Sequence, residues 1–279
     1  MNTLLITGSS GFLGNRLVQE LSERWQLLTP GHTELDITDS KATEQYLREH
    51  RPCAVLHTAA LSNTGYCQQH PEESFAVNVL GAENLAKAAQ KIGAKLVFCS
   101  SDQVYNGNLQ PGPHKEDEIL APANVYGCHK LEAEQRVLAA CPQAVCLRLS
   151  WMYDLPREGC RNNLGIVGAL CRAAMQGETL KQNPLELRGI TWVMTLVRQT
   201  EALLKLPGGV YNAGAENLQN SWETVRALAR QMGIPEDRVV PADWPGRNLS
   251  MDCRKLKNGG VDLGDTQGGF EAFLAAYSL

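Results

Sequence analysis

The chain has 279 residues, enough for one large domain or for one domain with a small satellite, and 43% of them are hydrophobic. A formal net charge of -4 and the absence of any basic run give the protein no electrostatic reason to bind nucleic acid. No run is apolar for long enough to span a membrane, and no signal-peptide pattern precedes the first predicted strand, so the sequence predicts a cytoplasmic protein without membrane contact.

The cysteine pattern argues against structural disulfides and against zinc. The chain has 9 cysteines, an odd number, and none of them forms a C-x-x-C pair. This pattern is typical of reduced thiols in a reducing compartment. The histidines and acidic residues show no spacing typical of metal ligands, so the sequence predicts no metal site.

Apolar runs alternate with segments of helical period through the first half of the chain. The predicted strands cover residues 4–6, 26–29, 54–57, 95–99 and 144–149, and the predicted helices cover residues 11–24, 40–49, 71–92 and 125–140. This alternation predicts an α/β protein with a Rossmann-type, doubly wound parallel sheet, whose ligands bind beyond the carboxyl ends of the strands.

The second half of the chain is less regular. It contains two further predicted helices, at 162–177 and 220–233, and one predicted strand, at 209–212. We expect residues 1–150 to form a dinucleotide-binding domain. Residues 151–279 would complete the sheet and add a small C-terminal substrate lobe, interleaved with the first domain.

A glycine-rich loop follows the first predicted strand. Residues 7–14 read TGSSGFLG, and Leu13, Leu17 and Leu21 then recur at helical spacing. Glycine lets a ligand approach the backbone closely, and the free N–H groups at a helix N-terminus attract phosphate. Glycine-rich turns are common, so the loop alone leaves an ordinary turn open. Its position between strand and helix favours a nucleotide site.

Two further motifs would lie at the same edge of the sheet. Tyr126 and Lys130 are four residues apart on a predicted helix and share one face of it, where an ammonium group would favour the phenolate form of Tyr126. Ser101 ends a predicted strand and could hydrogen bond a substrate carbonyl. Taken singly, the Tyr–Lys pair could be an ordinary surface pair and the serine a capping residue. Their shared position with the glycine loop favours a catalytic site.

With these motifs the chain resembles the extended short-chain dehydrogenase/reductases, and within that family the branch that reduces dTDP-4-dehydrorhamnose. The glycine loop matches TGxxGxxG, Tyr126 and Lys130 match YxxxK, and Ser101 matches the family's Ser/Thr position. Residues 35–39 (LDITD), 124–127 (NVYG) and 147–153 (LRLSWMY) are similar to the rhamnose branch. The resemblance covers nearly the whole chain and weakens after about residue 160.

The resemblance implies roles for individual residues. Tyr126 would protonate the developing alkoxide, Lys130 would hold the nicotinamide ribose and lower the pKa of Tyr126, and Ser101 would orient the ketone. The implied cofactor-binding residues are Gly8, Ser10, Gly11, Phe12, Leu13, Gly14, His32, Asp36, Ile37, Ala59, Ala60, Asn78, Ser100, Tyr126 and Lys130. The implied substrate-binding residues are Ser62, Asp102, Trp151 and Thr191.

Two of these assignments have open alternatives. The family often has an Asn at the position of Asn78 that supports a water near the lysine, but a packing or capping role is equally compatible with the sequence. Trp151 matches an aromatic residue that faces the sugar nucleotide, and it could instead pack in the core. Asp36 and Ile37 would flank the adenine, while Ala59 and the residue after it would lie under the ribose and pyrophosphate.

The cofactor preference follows from the second predicted strand. A carboxylate after this strand favours NAD, and an arginine favours NADP. Residues 30–33 (PGHT) contain neither, and related sequences often carry an Arg where His32 stands. Because no acid repels a 2′-phosphate in this tetrapeptide, the sequence favours NADP(H) over NAD(H).

The substrate is less well defined. Thr64 and Gly65 stand where the family commonly has Val-Asp, Gln68 stands where it has Glu, and Ile190 replaces the proline of a Pro-Thr pair. The resemblance implies reduction of a nucleotide-linked 4-keto sugar. The alternatives are an epimerase or dehydratase, a reductase of another ketone, and a non-catalytic NADP-binding regulatory subunit. Gln103, after Asp102, counts against dehydration.

The assembly is suggested only by the resemblance. Relatives form dimers through two long helices, and segments 71–92 and 125–140 are the ones that would form a homodimer here. Their sequences show no decisive apolar stripe.

Overall fold

The fold is seen in a computed structural model that describes residues 2–157, 160 and 165–278. The first half runs β1 (Thr3–Thr7), α1 (Phe12–Leu21), β2 (Gln26–Leu28), α2 (Ser40–His50), β3 (Ala54–His57), α3 (Thr64–Gln69), α4 (Pro71–Phe75), α5 (Gly81–Ile92), β4 (Lys95–Ser101), α6 (Val125–Ala140) and β5 (Val145–Leu149). A π turn (Ala76–Leu80) joins α4 to α5, and a 3₁₀ turn (Asp102–Tyr105) follows β4.

The second half contains shorter strands. It runs β6 (Trp151–Tyr153), α7 (Gly165–Gln176), β7 (Leu180–Gln182), β8 (Ile190–Trp192), α8 (Val193–Val197), α9 (Thr200–Lys205), β9 (Gly209–Ala213), α10 (Ser221–Gln231), β10 (Val239–Pro241), α11 (Arg254–Asn258) and α12 (Thr266–Tyr277), with a 3₁₀ turn (Glu236–Arg238) before β10. No helix within the described ranges is both long and apolar enough to cross a membrane.

Six parallel strands form the central sheet in the order β2-β1-β3-β4-β5-β9. The chain moves outward from β1 in both directions, so the switch point of the sheet lies between β1 and β3. Ligands of doubly wound sheets bind outside the carboxyl ends of the strands at this point. The predicted fold class is confirmed.

The apolar strands pack on both faces of the sheet. Leu4 and Ile6 of β1 belong to one buried cluster together with residues of α1, α8 and α12, whereas Leu5 belongs to a second cluster with residues of α2, α5 and α6. Because both faces are covered, the strands read as continuous apolar runs rather than as alternating patterns. The predicted strands of the first half follow this rule.

The structure differs from the predicted elements in several places, and helices α3, α8, α9, α11 and α12 were not predicted. The helix predicted over 71–92 contains the π turn, in which the helical hydrogen bonds reach one residue further back along the chain. The helix predicted from residue 162 begins at Gly165 within the described chain, and residues 162–164 lie outside it. Two small parallel pairs, β6 with β8 and β7 with β10, were not predicted individually.

The predicted strand at 209–212 is β9, and it pairs with β5 at the edge of the central sheet. One segment of the second half therefore completes the sheet of the first. The division of the chain at residue 150 stays a prediction.

Candidate active site

The glycine loop has the geometry of a cradle for a phosphate group. Gly8 has φ +71, and a Cβ there would lie 2.7 Å from the Ala59 nitrogen; a Cβ at Gly14 would overlap the carbonyl oxygen of Gly8. Gly11 precedes α1 without a side-chain cap, and the first turn of α1 carries no acidic residue. The uncapped N–H groups and the helix dipole therefore fit the diphosphate of a dinucleotide.

This cradle predicts the effect of one added methyl group. We expect Gly14→Ala to raise the Kd for NADPH at least about tenfold, because the new Cβ forces the loop away from α1. Fluorescence titration with NADPH would measure the change. Gly268→Ala is the matched control, since its Cβ would make only ordinary contact, 3.5 Å from Asp265 Oδ1. An unchanged NADPH affinity in Gly14→Ala would contradict the assignment of the loop.

The segment after β2 contains the predicted adenine-side residues. Asp36 Oδ1 accepts hydrogen bonds from the backbone nitrogen of Thr38 at 2.9 Å and from its hydroxyl at 2.8 Å, and these bonds lower the pKa of Asp36. His32 is exposed. Sequence reasoning missed Glu34, whose carboxylate accepts from the Gly31 nitrogen at 2.8 Å. The loop after β2 therefore contains an acidic residue, Glu34, directly after the tetrapeptide 30–33.

The end of β3 forms the other wall of the cradle. The Thr7 hydroxyl lies 2.7 Å from His57 Nδ1, and burial lowers the pKa of His57 to about 3, so its imidazole is neutral. Asn78 is buried in the π turn, where it accepts from the Leu61 nitrogen and donates to the Leu61 carbonyl, both at 2.9 Å. Asn78 thus fixes the backbone that follows β3. Its role beside a water stays a prediction.

The structure brings the three predicted catalytic residues together. Ser101 ends β4, and its side chain hydrogen bonds the phenol of Tyr126 in the first turn of α6. Asn124 begins that helix by accepting from the Gly127 nitrogen at 2.7 Å. Lys130 Nζ lies 5.8 Å from the centre of the Tyr126 ring and donates to the Cys99 carbonyl at 2.8 Å. Strand β4 and helix α6 therefore hold these side chains at one point of the sheet edge.

The electrostatics of this group differ from the prediction. Tyr126 is only 7% exposed, and burial raises its pKa, with Asp102 adding to the rise and the Ser101 hydrogen bond opposing it. Burial outweighs any lowering by Lys130, whose ammonium group donates to the Cys99 carbonyl, so the expected net lowering of the Tyr126 pKa is not seen; the role of Lys130 toward Tyr126 stays a prediction. Burial lowers the pKa of Lys130 itself to about 8. Tyr126 therefore holds its proton at neutral pH, as a proton donor must.

Two predicted ligand contacts have their hydroxyl groups turned into the protein. The Ser100 hydroxyl donates to Glu134, which is ion-paired with Arg148 at 2.8 Å, on the opposite side of β4 from Ser101. The Thr191 hydroxyl lies 2.8 Å from the Ser150 hydroxyl and accepts from the Ala215 nitrogen. In this arrangement both hydroxyl groups bond within the protein, and the contacts of Ser100 and Thr191 with ligands stay predictions.

Of the remaining predicted substrate residues, Asp102 adjoins Ser101. Asp102 is buried, and its Oδ1 accepts from the Ser101 hydroxyl at 3.3 Å. Trp151 is 47% exposed, and the exposed Ser62 follows the end of β3. Sequence reasoning missed Arg188, which touches both Asp102 and Trp151, because it stands in an irregular segment without a motif. Its only local signal is its position three residues before Thr191.

No group of three His, Cys, Asp or Glu residues in the described ranges could hold a metal ion. The site does bring together phenol, hydroxyl, ammonium and carboxyl groups, which belong to Tyr126, Ser101, Lys130 and Asp102. A diphosphate cradle beside a Ser–Tyr–Lys group on a doubly wound sheet defines a short-chain dehydrogenase/reductase type of site.

Comparison with known proteins identifies the family to which the chain belongs. Residues 1–256 match the RmlD substrate binding domain family, and the chain belongs to that family. The dTDP-4-dehydrorhamnose reductase of Streptomyces griseus is 37% identical over 249 residues, which cover 85% of this chain and 78% of that protein. The resemblance predicted from the motifs is confirmed.

The relatives include proteins that are not named as reductases as well as solved structures of reductases and an epimerase. Methionine adenosyltransferase 2 subunit beta of Xenopus laevis is 27% identical over 281 residues, covering 92% of this chain and 82% of that protein. Among solved structures, dTDP-4-dehydrorhamnose reductase of Bacillus anthracis, in complex with NADP, has a TM-score of 0.89 and 25% identity, with 99% of each chain covered. UDP-glucose 4-epimerase of Thermotoga maritima, at 22% identity and a TM-score of 0.82, shares the fold and covers 99% of this chain and 98% of its own.

Proposed function

We propose that the protein is an NADPH-dependent reductase of a nucleotide-linked 4-keto sugar of the dTDP-4-dehydrorhamnose type. The observation that carries this proposal is the assembly of Ser101, Tyr126 and Lys130 beside the glycine cradle at one sheet edge. The reductases of Streptomyces griseus and Bacillus anthracis among its relatives support the same reaction.

The residues present fit a dinucleotide cofactor. The backbone of residues 8–14 would hold the diphosphate, and Lys130 would hold the nicotinamide ribose. When bound, the reduced nicotinamide supplies a hydride to the carbonyl carbon of the substrate. All other steps of the proposed reaction are carried out by the protein's own side chains.

These side chains act on the carbonyl oxygen. Ser101 donates a hydrogen bond to it and so holds the ketone in place. Tyr126 donates its proton to this oxygen as negative charge develops there. The phenolate that remains would be stabilised by the positive charge of Lys130, whose Nζ lies 5.8 Å from the centre of the Tyr126 ring. The phenol of Tyr126 is protonated at neutral pH before the substrate binds, so it has a proton to donate.

For the cofactor we propose NADP(H) in preference to NAD(H). The Bacillus anthracis relative was solved with NADP, which supports this choice. His32, exposed beside the cradle, would meet the 2′-phosphate. Glu34 argues in the opposite direction, although its carboxylate is engaged by the Gly31 nitrogen. We propose a sugar nucleotide as the substrate partner. The loop at 62–69, which lacks the family's acids, would determine which sugar binds.

The second candidate is a non-catalytic, cofactor-binding subunit, because relatives include methionine adenosyltransferase 2 subunit beta. The assembled Ser101, Tyr126 and Lys130 favour catalysis over this role. A binding subunit has no need of a buried phenol hydrogen bonded to a serine at the carboxyl end of β4.

Turnover of the purified protein tests the proposal. We expect NADPH oxidation in the presence of dTDP-4-dehydrorhamnose, with kcat/KM at least about tenfold higher for NADPH than for NADH, since the site lacks the usual ribose-binding carboxylate directly after β2. The loss of reduced-nicotinamide absorbance measures the rate. Cofactor binding without turnover of any keto sugar nucleotide would contradict the reductase proposal and favour the regulatory subunit.

A further inference from the structure

Arg188 is a buried arginine that none of the roles above uses. It lies in the segment before β8, and only 1% of its surface is exposed. In the described parts of the chain, neither of its terminal nitrogens, Nη1 and Nη2, has a hydrogen-bond partner, although both atoms are buried. Burying a guanidinium without full pairing is costly, so a side chain in this position calls for a function.

The first contact of Arg188 is with Trp151. The central carbon of the guanidinium lies 4.0 Å from the centre of the Trp151 ring, the distance of a stacked cation–π pair. The indole remains about half exposed, so part of its surface stays accessible to a ligand. Arg188 therefore packs against the aromatic side chain that was predicted to face the sugar nucleotide.

The second contact is with Asp102. Arg188 Nη1 lies 3.7 Å from Asp102 Oδ2, a buried oxygen without a hydrogen-bond partner in the described chain. The other oxygen, Oδ1, accepts from the Ser101 hydroxyl, which in turn hydrogen bonds Tyr126. One series of contacts thus runs from the guanidinium to the proposed proton donor.

Glu186 holds the guanidinium from its third side. Its Oε1 lies 2.9 Å from Arg188 Nε, at an angle that makes an ion pair rather than a hydrogen bond, and its Oε2 lies 3.3 Å from Arg247 Nη2. The guanidinium is therefore fixed among Trp151, Asp102 and Glu186, which come from three separate segments of the chain. A lysine could keep the charge but could not match this planar arrangement fully.

We propose that Arg188 is a positioning residue for the sugar nucleotide: it fixes the Trp151 ring and the Asp102 carboxylate relative to each other, so that the keto sugar lies between Trp151 and the Ser101–Tyr126 pair. This inference rests on the proposed function for its substrate. Arg188 acts through its two neighbours and does not contact the reacting atoms.

Steady-state kinetics test the proposal. We expect Arg188→Met to raise KM for dTDP-4-dehydrorhamnose about tenfold or more and to leave KM for NADPH within about twofold, because its contacts lie on the substrate side of the cleft. Arg188→Lys should recover part of the loss. Arg226→Met is the matched control, since Arg226 also stacks on a tryptophan, at 4.7 Å from the Trp222 ring, but on α10.

A double-mutant cycle separates positioning from general loss of structure. If Arg188 acts in part through Trp151, Arg188→Met should raise KM for the sugar nucleotide less in a Trp151→Ala background than in the wild type, with the remaining effect passing through Asp102. Full additivity of the two changes would overturn the proposal. So would a wild-type KM for the sugar nucleotide in Arg188→Met.

Fluorescence makes this test independent of the reductase activity. Subtracting the spectrum of Trp151→Phe from that of the wild type isolates the emission of Trp151, and we expect Arg188→Met to change it while Arg226→Met does not. If the wild type turns over no keto sugar nucleotide, the proposed function fails, and an unchanged Trp151 emission would overturn the Arg188 proposal separately. If Arg188→Met does not fold, Arg188→Lys is measured instead, by both steady-state kinetics and fluorescence. Wild-type kinetics and wild-type Trp151 emission in Arg188→Lys would then overturn the proposal.

Discussion

Replacing Tyr126 with phenylalanine is expected to lower kcat for reduction of the keto sugar by about a hundredfold or more, because it removes the phenol proton that the site places beside Ser101. The substitution deletes one oxygen and keeps the ring. The ring is 7% exposed, so the packing at the start of α6 should survive. We expect the Kd for NADPH to stay within a few-fold of wild type.

The measurement compares single-turnover rates of NADPH oxidation with NADPH binding in the same preparation. Tyr46→Phe is a suitable control, since Tyr46 stacks on His50 in α2, remote from the carboxyl ends of the strands. A Tyr126→Phe protein with wild-type kcat would exclude this residue as the general acid. Loss of both kcat and NADPH affinity would instead show that the phenol supports the cofactor site.

The central sheet could be predicted because its strands are apolar on both faces and alternate with helices of clear period. β1 illustrates this, since Leu4 and Leu5 enter opposite clusters and both are fully buried. Strands β6, β7, β8 and β10 have three residues each, too few for any period to be recognised. Their pairing depends on contacts between distant segments.

The candidate site also has a part that could be predicted from the sequence and a part that could not. Ser101, Tyr126 and Lys130 lie in local motifs, and the sheet topology brings them together as the motifs predict. The pKa of Tyr126 could not be predicted, because spacing shows which charge lies nearby but not how deeply the phenol is buried. Arg188 could not be predicted either, since its contacts with Asp102 and Trp151 are all long-range.

A second long-range group joins the cofactor helix to the second half of the chain. Asp154, just after β6, is fully buried, and its Oδ2 lies 2.7 Å from Nε of Arg16 in α1 and 3.1 Å from Arg157. Its Oδ1 accepts from the indole nitrogen of Trp192 at 3.1 Å and from the hydroxyl of Tyr277 at 2.8 Å. One carboxylate thus satisfies donors from four segments.

Asp154→Ala is expected to lower the free energy of unfolding by about 3–5 kcal/mol, because it leaves the buried guanidinium of Arg16 without its counter-charge. Urea unfolding would measure the loss. Asp262→Ala is the matched control: Asp262 pairs with Lys257 at 2.8 Å on the surface, with 53% of its side chain exposed, and should cost no more than about 1 kcal/mol. Equal losses in the two variants would contradict a structural role for the buried pair.

Because Arg16 also donates to the Phe12 carbonyl at the start of α1, the Asp154 variant should bind NADPH more weakly at temperatures where it remains folded.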